Sequence, residues 1–130
     1  MVVRKWKEKG QAMVEFALVL PILLILLLGI LEFGQIFSSY LLIQNASRDG
    51  ARYGSVGYTD SEIIQIVQQK TSILDQTNLT VTILPSPSQR ERGGKIDVSI
   101  DYQMNLYTPM WNNILPNPFP LSAGTVMRIE

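Results

Sequence analysis

"KGQAMVEFALVLPILLILLLGIL", residues 9–31, decides the architecture, because the sixteen residues from Phe16 to Leu31 carry no charge. Extended back to Ala12, the run is twenty residues long and takes in a single acid, Glu15. At 1.5 Å per residue, twenty residues of helix cover about 30 Å, the hydrocarbon thickness of a bilayer. Four bases (Arg4, Lys5, Lys7, Lys9) less one acid (Glu8) give the first ten residues a net charge of +3, and the next base is Arg48. That asymmetry places the N-terminus in the cytoplasm and everything after the span outside. A cleaved secretory signal has the same basic-then-apolar order, but "LLGILEFGQIF" offers no small-x-small cleavage site, so an anchor is expected. Pro21 removes the hydrogen bond to the carbonyl of Ala17 and bends the helix modestly.

Past Leu31 the pattern turns amphipathic. Phe33, Ile36, Phe37, Tyr40, Leu41 and Ile43 recur at helical spacing, with Gln35, Ser38, Ser39 and Gln44 between them. A single helix from about Ala12 to about Tyr53 would be roughly 60 Å long. The alternative is two shorter helices with a break at Gly29 or Gly34.

Composition removes most catalytic chemistry. The 130 residues include no cysteine and no histidine, so disulfides, thiolate sites and the commonest general base are absent. Neither a GxSxG elbow nor a glycine-rich phosphate loop occurs. The formal net charge is zero, which argues against a nucleic-acid partner. The expectation is a protein that is not an enzyme, with no cofactor, no metal and no small-molecule substrate.

Glu15 then needs a reason, since a carboxylate in an apolar span is costly even near its edge. One reading leaves it in the interface beside Lys9. The other notes that a cut between Gly10 and Gln11 would create an α-amino group at the start of the helix and make Glu15 the fifth residue of the product.

Those residues carry a resemblance. "KGQAMVEFALVLPILLILLLGILEFGQIF" followed by "QNASRDGARYGSVG" resembles the N-terminal signature of the TadE-like family, pseudopilin-like proteins of the tight-adherence (Flp-type) pilus system, over residues 9–57. The resemblance implies a bacterial cytoplasmic-membrane protein, single-pass and possibly incorporated into a surface pilus. It implies removal of the leader, residues 1–10, by a prepilin peptidase between Gly10 and Gln11. It also implies that Glu15, followed by Phe16, meets the free amine of Gln11 on a neighbouring subunit and sets the register between helices. The implied partners are the membrane, the prepilin peptidase, other pilins or pseudopilins, and pilus assembly platform proteins. Flp pilins proper have tyrosine after the glutamate and little beyond the helix, so Phe16 and the long C-terminal part point to a minor component. An uncleaved, single-pass binding or assembly protein is the alternative. "EFG" (Glu32, Phe33, Gly34) at the helix exit and "RDGAR" (Arg48, Asp49, Gly50, Ala51, Arg52) beyond it complete the motif. Arg48, Asp49 and Arg52 would pair between neighbours or cap the helix end.

The remaining chain reads as a small α+β domain of type IV pilin-like organisation. "TDSEIIQIVQQKTSIL" has a Thr59–Glu62 capping box and places Ile63, Ile66, Val67, Ile73 and Leu74 on one helical face. Residues 79–84 and 95–104 alternate as strands, with Ile96, Val98, Ile100 and Tyr102 on one face and Asp97, Ser99 and Asp101 on the other. The carboxylates of Asp97 and Asp101 are expected to be the wet side of the strand and not metal ligands. "PSPSQRERGG" should form an exposed, charged tip. "YTPMWNNILPNPFP" holds four of the seven prolines and should be a loop with Trp111 and Phe119 turned inward. "LSAGTVMRIE" would be the third strand of an antiparallel sheet packed on the long helix. The expected divisions are a leader (1–10), a transmembrane helix (11–31), its amphipathic continuation (32–57) and an extracytoplasmic domain (58–130).

Overall fold

The computed structural model describes residues 2–130, with side chains from Lys7 onward. The bases Arg4 and Lys5 of the N-terminal tail therefore have no described side chains. The order of elements is helix α1 (Val2–Ser55), helix α2 (Asp60–Lys70) and strands β1 (Leu79–Leu84), β2 (Lys95–Met104) and β3 (Phe119–Arg128). The expected α+β class is found. Contacts divide the chain into two units, one ending at Gly34 and the other comprising Gln35–Glu130.

In the first unit α1 is helical through the basic tail as well as the apolar run, beginning about ten residues earlier than the sequence pattern indicates. Nothing between Val2 and Lys9 breaks a helix, and Gly10 only weakens it, by about 1 kcal/mol relative to alanine. From Phe16 to Leu31 the large apolar side chains are exposed all round, Phe16 at 64%, Ile22 at 67% and Leu31 at 69%. α1 is long and apolar enough to cross a membrane.

In the second unit the end of α1 is set by glycine geometry. Gly57 adopts φ +98°, a conformation that side-chain-bearing residues rarely take. The N–H of Tyr58 donates to the carbonyl of Tyr53 at 3.2 Å and that of Gly57 to Gly54 at 3.2 Å. This is the paired 6→1 and 5→2 bonding of a Schellman cap, and the usual apolar contact beside it is an edge-to-face pair of Tyr53 and Tyr58, 5.0 Å between centroids. The predicted capping box opens α2: the Thr59 N–H donates to Glu62 Oε2 (2.8 Å) and the Glu62 N–H to Thr59 Oγ1 (3.4 Å). α2 ends four residues short of the predicted limit. The Thr71 hydroxyl turns back to the carbonyl of Val67 (2.8 Å), and the Gln76 amide donates to the Thr71 carbonyl (2.7 Å), so the helix-end groups are satisfied without another turn. Ile73, expected on the buried face, is consequently 81% exposed.

The sheet is an antiparallel meander, β1-β2-β3, with β2 central and both predicted strand ranges found. Alternation sorts its faces as expected. Ile96, Val98, Ile100, Tyr102 and Met104 are buried, together with Leu121 and Ala123 of β3. They pack on Ile43, Ala46 and Ala51 of α1 and on Ile63 and Val67 of α2. Close approach depends on small residues. A Cβ on Gly50 would meet Val98 Cγ1 at 3.1 Å, and one on Gly54 would meet Ile96 Cδ1 at 2.5 Å. Four residues of helix rise about 6 Å and two of strand about 6.7 Å, so α1 and β2 run antiparallel nearly in step. Buried Ser47 adds a hydroxyl contact to Thr125 at 2.9 Å.

The hairpin tip is less free than its composition suggests. Arg90 forms an ion pair with Asp60 at the start of α2, and its Nε donates to the Pro85 carbonyl at 3.1 Å. The peptide bonds Leu84-Pro85 and Asn117-Pro118 are cis. Trp111 and Phe119 are half-buried, which meets the inward expectation in part. The chain end is tied back: the Ile129 N–H donates to Gly94 (2.8 Å), and the Glu130 N–H donates to the Ser55 carbonyl (3.0 Å), one of the carbonyls α1 leaves open at its end.

Gly54→Val forces branched carbons into the Ile96 and Ile63 side chains and should cost about 1–3 kcal/mol of stability. Gly34→Ala, with nothing within 4 Å of the new carbon, should be neutral or stabilising. Thermal unfolding of the full chain in detergent, followed by circular dichroism, compares the two.

Candidate functional site

The residues singled out in the sequence fall into three groups along α1. The first is Gly10, Gln11, Glu15 and Phe16. All four are exposed, and a Cβ on Gly10 would meet nothing within 4 Å. The Gln11 amide Nε2 donates to Glu15 Oε1 at 3.1 Å, four residues along. Residues four apart are stacked on one helical face about one turn apart, so the backbone nitrogen of Gln11 lies roughly one 5.4 Å turn below the residue bearing the carboxylate. An open glycine, a carboxylate one turn beyond the next residue and an aromatic ring at the start of the apolar run thus share one short stretch.

The second group, Glu32, Phe33 and Gly34, marks the end of the apolar run. Glu32 is only 4% exposed, Phe33 is 56% exposed, and the surroundings of Gly34 are open. A carboxylate buried to this degree is uncommon and sits beside a stretch that otherwise exposes its side chains.

The third group, Arg48 to Arg52, divides by helical face. Gly50 and Ala51 face the core, and Gly50 is the residue that lets β2 and α2 approach. Arg48 and Arg52 are exposed. Asp49 accepts a salt bridge from Lys70 of α2 at 2.9 Å. The sequence offered capping or pairing between neighbours for these charges; within the chain Asp49 pairs with Lys70, and the helix end is closed by backbone bonds and Gly57. Lys70 was not singled out, because nothing in the local pattern marks a partner twenty-one residues away. Its ammonium is held above the ordinary lysine value, first by the hydrogen bond to Asp49 and then by the charge of that carboxylate.

No single constellation unites these groups, and the first and third lie in different units. Among the described residues no three Asp or Glu side chains gather to hold a metal ion. Asp97 accepts a hydrogen bond from the Ser99 hydroxyl at 3.1 Å, and Asp101 stands opposite Thr80 and Ser122 in the sheet. What the arrangement offers is an open glycine and a carboxylate at the start of an apolar surface, and a small folded domain.

A family model described as TadE-like protein matches residues 10–52. The match begins at Gly10 and ends at Arg52, covering all three groups. Comparison with curated proteins and with solved structures gives no match.

Both partners of the Asp49–Lys70 pair are well exposed, so its contribution is small and screened by salt. Because the folded Lys70 value is raised, that contribution is fully present below the ordinary value of 10.5 and disappears as pH rises through the higher folded value. Asp49→Asn should therefore lower the melting temperature slightly at pH 7 to 9, and the gap from the parent should close in more alkaline solution.

Proposed function

We propose, taking the TadE-like match over residues 10–52 as the premise, that this chain is a minor pseudopilin: a structural, non-enzymatic component of tight-adherence pilus biogenesis. The observation that carries the reading is the coincidence of that match with a helix whose apolar run is exposed all round. The family match supports a Tad pilus-associated protein in general, and the single apolar N-terminal helix supports a single-pass membrane protein. The finer reading follows from chemistry at Gly10 to Phe16.

A prepilin peptidase cuts between Gly10 and Gln11 and removes the basic leader. Gly10 weakens the helix locally, and no side chain there obstructs an enzyme. The cut leaves an ammonium on Gln11 at the positive end of the helix dipole, where an anion is favoured. Glu15 of one subunit meets that ammonium on its neighbour. In an apolar bundle an ion stripped of its partner costs several kcal/mol, so the pair admits one axial register and disfavours the slipped ones. Residues 11–31 hold the subunit in the cytoplasmic membrane with its N-terminus inside, residues 32–57 continue the helix beyond it, and residues 58–130 complete the extracytoplasmic domain. The charge asymmetry about the span supports this orientation.

The test is the N-terminus of the protein recovered from its host with and without the peptidase. A mature chain beginning at Gln11 only when the peptidase is present is the expected result. A terminus at Met1 in both strains would leave an uncleaved, single-pass assembly protein. Glu15→Gln should still insert in the membrane and lose its leader, yet fail to co-purify with sheared pilus material. Co-purification at the parental level would remove the register role from Glu15.

A further inference from the structure

We propose that the loop joining β2 to β3, residues 105–118, rests in the interfacial layer of the bilayer that holds the span, as a second membrane contact for the Gln35–Glu130 unit. The proposal rests on the anchoring part of the function proposed above and on none of its pilus assignment.

Three observations converge on this loop. The first is its surface: Tyr107 is 76% exposed, Ile114 71% and Met110 40%, all within eight residues. Single exposed apolar residues are ordinary, but this cluster lies inside a run from Tyr102 to Met127 that contains no Asp, Glu, Lys or Arg. Such a surface has no charge to lose on leaving water, and tyrosine with tryptophan is the pairing enriched at membrane interfaces.

The second is position. α1 runs antiparallel to β2, with Gly54 against Ile96 and Gly50 against Val98, and Ile36 packs against the cluster that includes Met104 and Leu121. The Met104–Phe119 rung, from which the loop springs, therefore lies at the Gln35 end of the unit. Four residues separate Gln35 from Leu31, the last of the apolar run, a reach of about 6 Å if helical and at most about 14 Å if extended. One headgroup layer is roughly 5–8 Å thick. Bases of the sheet gather at its other end, where Lys95 stands opposite Arg128 and a Cβ on Gly93 would lie 3.4 Å from the Arg128 guanidinium.

The third is the loop's internal bonding. Backbone groups entering a poorly hydrated layer need partners. The Leu106 N–H donates to Asn117 Oδ1 (3.2 Å), the Asn117 amide donates to Asn112 Oδ1 (3.0 Å), and the Ile114 and Leu115 N–H groups donate to the Trp111 carbonyl (2.9 and 2.8 Å). Asn112 and Asn117, though exposed, thus spend their polar groups on bonds within the loop, while the Ile114 side chain is turned out.

Because the protein has no cysteine, single-cysteine variants give unique probes. Ile114→Cys, Leu24→Cys and Ser88→Cys of the full chain are each labelled with an environment-sensitive nitrobenzoxadiazole and placed in phosphatidylcholine and phosphatidylglycerol nanodiscs. Quenching is read with aqueous iodide and with nitroxide lipids labelled near the headgroup or deep in the acyl chain. The expected result at Ile114 is a blue-shifted emission, quenched by the shallow nitroxide lipid and protected from iodide. Leu24 should respond to the deep nitroxide, and Ser88 to iodide alone. An Ile114 probe that behaves like Ser88 while Leu24 stays lipid-quenched overturns the proposal and leaves the anchor standing. Protection from iodide without lipid quenching also overturns it, in favour of a protein contact. A Leu24 probe untouched by either lipid overturns the anchor and the proposal together.

Discussion

At Gly54 the long helix and the sheet come so close that a single added carbon would fall 2.5 Å from Ile96 Cδ1. The rest of the Gln35–Glu130 unit depends on that approach. With Gly50 one turn earlier, it brings α1 down onto β2 and allows α2 to close the other side of the same groove through Ile63 and Val67. A domain of fewer than a hundred residues has little apolar surface to bury, and removing side chains from the helix makes backbone itself part of the packing. The glycines cost helix propensity, and the helix tolerates them because its length and tertiary contacts exceed what propensity alone would supply.

The same helix therefore meets two different demands along its length. From Phe16 to Leu31 it presents apolar side chains in every direction and, apart from the Ala17 carbonyl that Pro21 leaves open, satisfies its backbone internally, as a lipid environment requires. Beyond Gln35 it has a stripe of small residues, Ala46, Ser47, Gly50, Ala51 and Gly54, shaped for one fixed neighbour. Glu15 and Glu32 sit near the two ends of the apolar run. One is exposed and answered by Gln11; the other is buried. A polar group near each boundary gives the run defined limits, which a uniformly apolar helix would lack.

What could be read from sequence was whatever is encoded over a few residues. Thr59 and Glu62 announce a cap because the box closes within one turn, and the alternation of Ile96, Val98 and Ile100 with Asp97, Ser99 and Asp101 fixes a strand and its wet face. The apolar run likewise speaks for itself. Contacts between distant residues could not be read in this way. The reason for Gly50 and Gly54 is hidden until Val98 and Ile96 are placed beside them, and the helix runs past both to close against Gly57, where φ is positive. Arg90 looks like part of a solvated tip until Asp60 meets it. Ile73 continues a helical stripe on paper, yet Thr71 and Gln76 offer the backbone another set of hydrogen bonds and the stripe ends first. At the candidate site, Gly10, Gln11, Glu15 and Phe16 could be picked out because they fall within two turns of one helix, where the Gln11–Glu15 contact is also local.

The Glu130–Ser55 bond and the direction of the strands have a mechanical consequence. α1 enters the unit at its Gln35 end, β2 returns toward that end, β3 leaves it again, and the chain closes against the last turn of the helix. Helix and strands thus lie along one line. A pull on α1 resisted at the far end of the sheet would load the rungs between β2 and β3 together, in shear, because antiparallel hydrogen bonds stand perpendicular to their strands. Loaded across the strands, the same bonds would open one at a time like a zipper. The meander is thereby oriented to bear tension along the axis of the Gln35–Ser55 part of the helix, within its own unit.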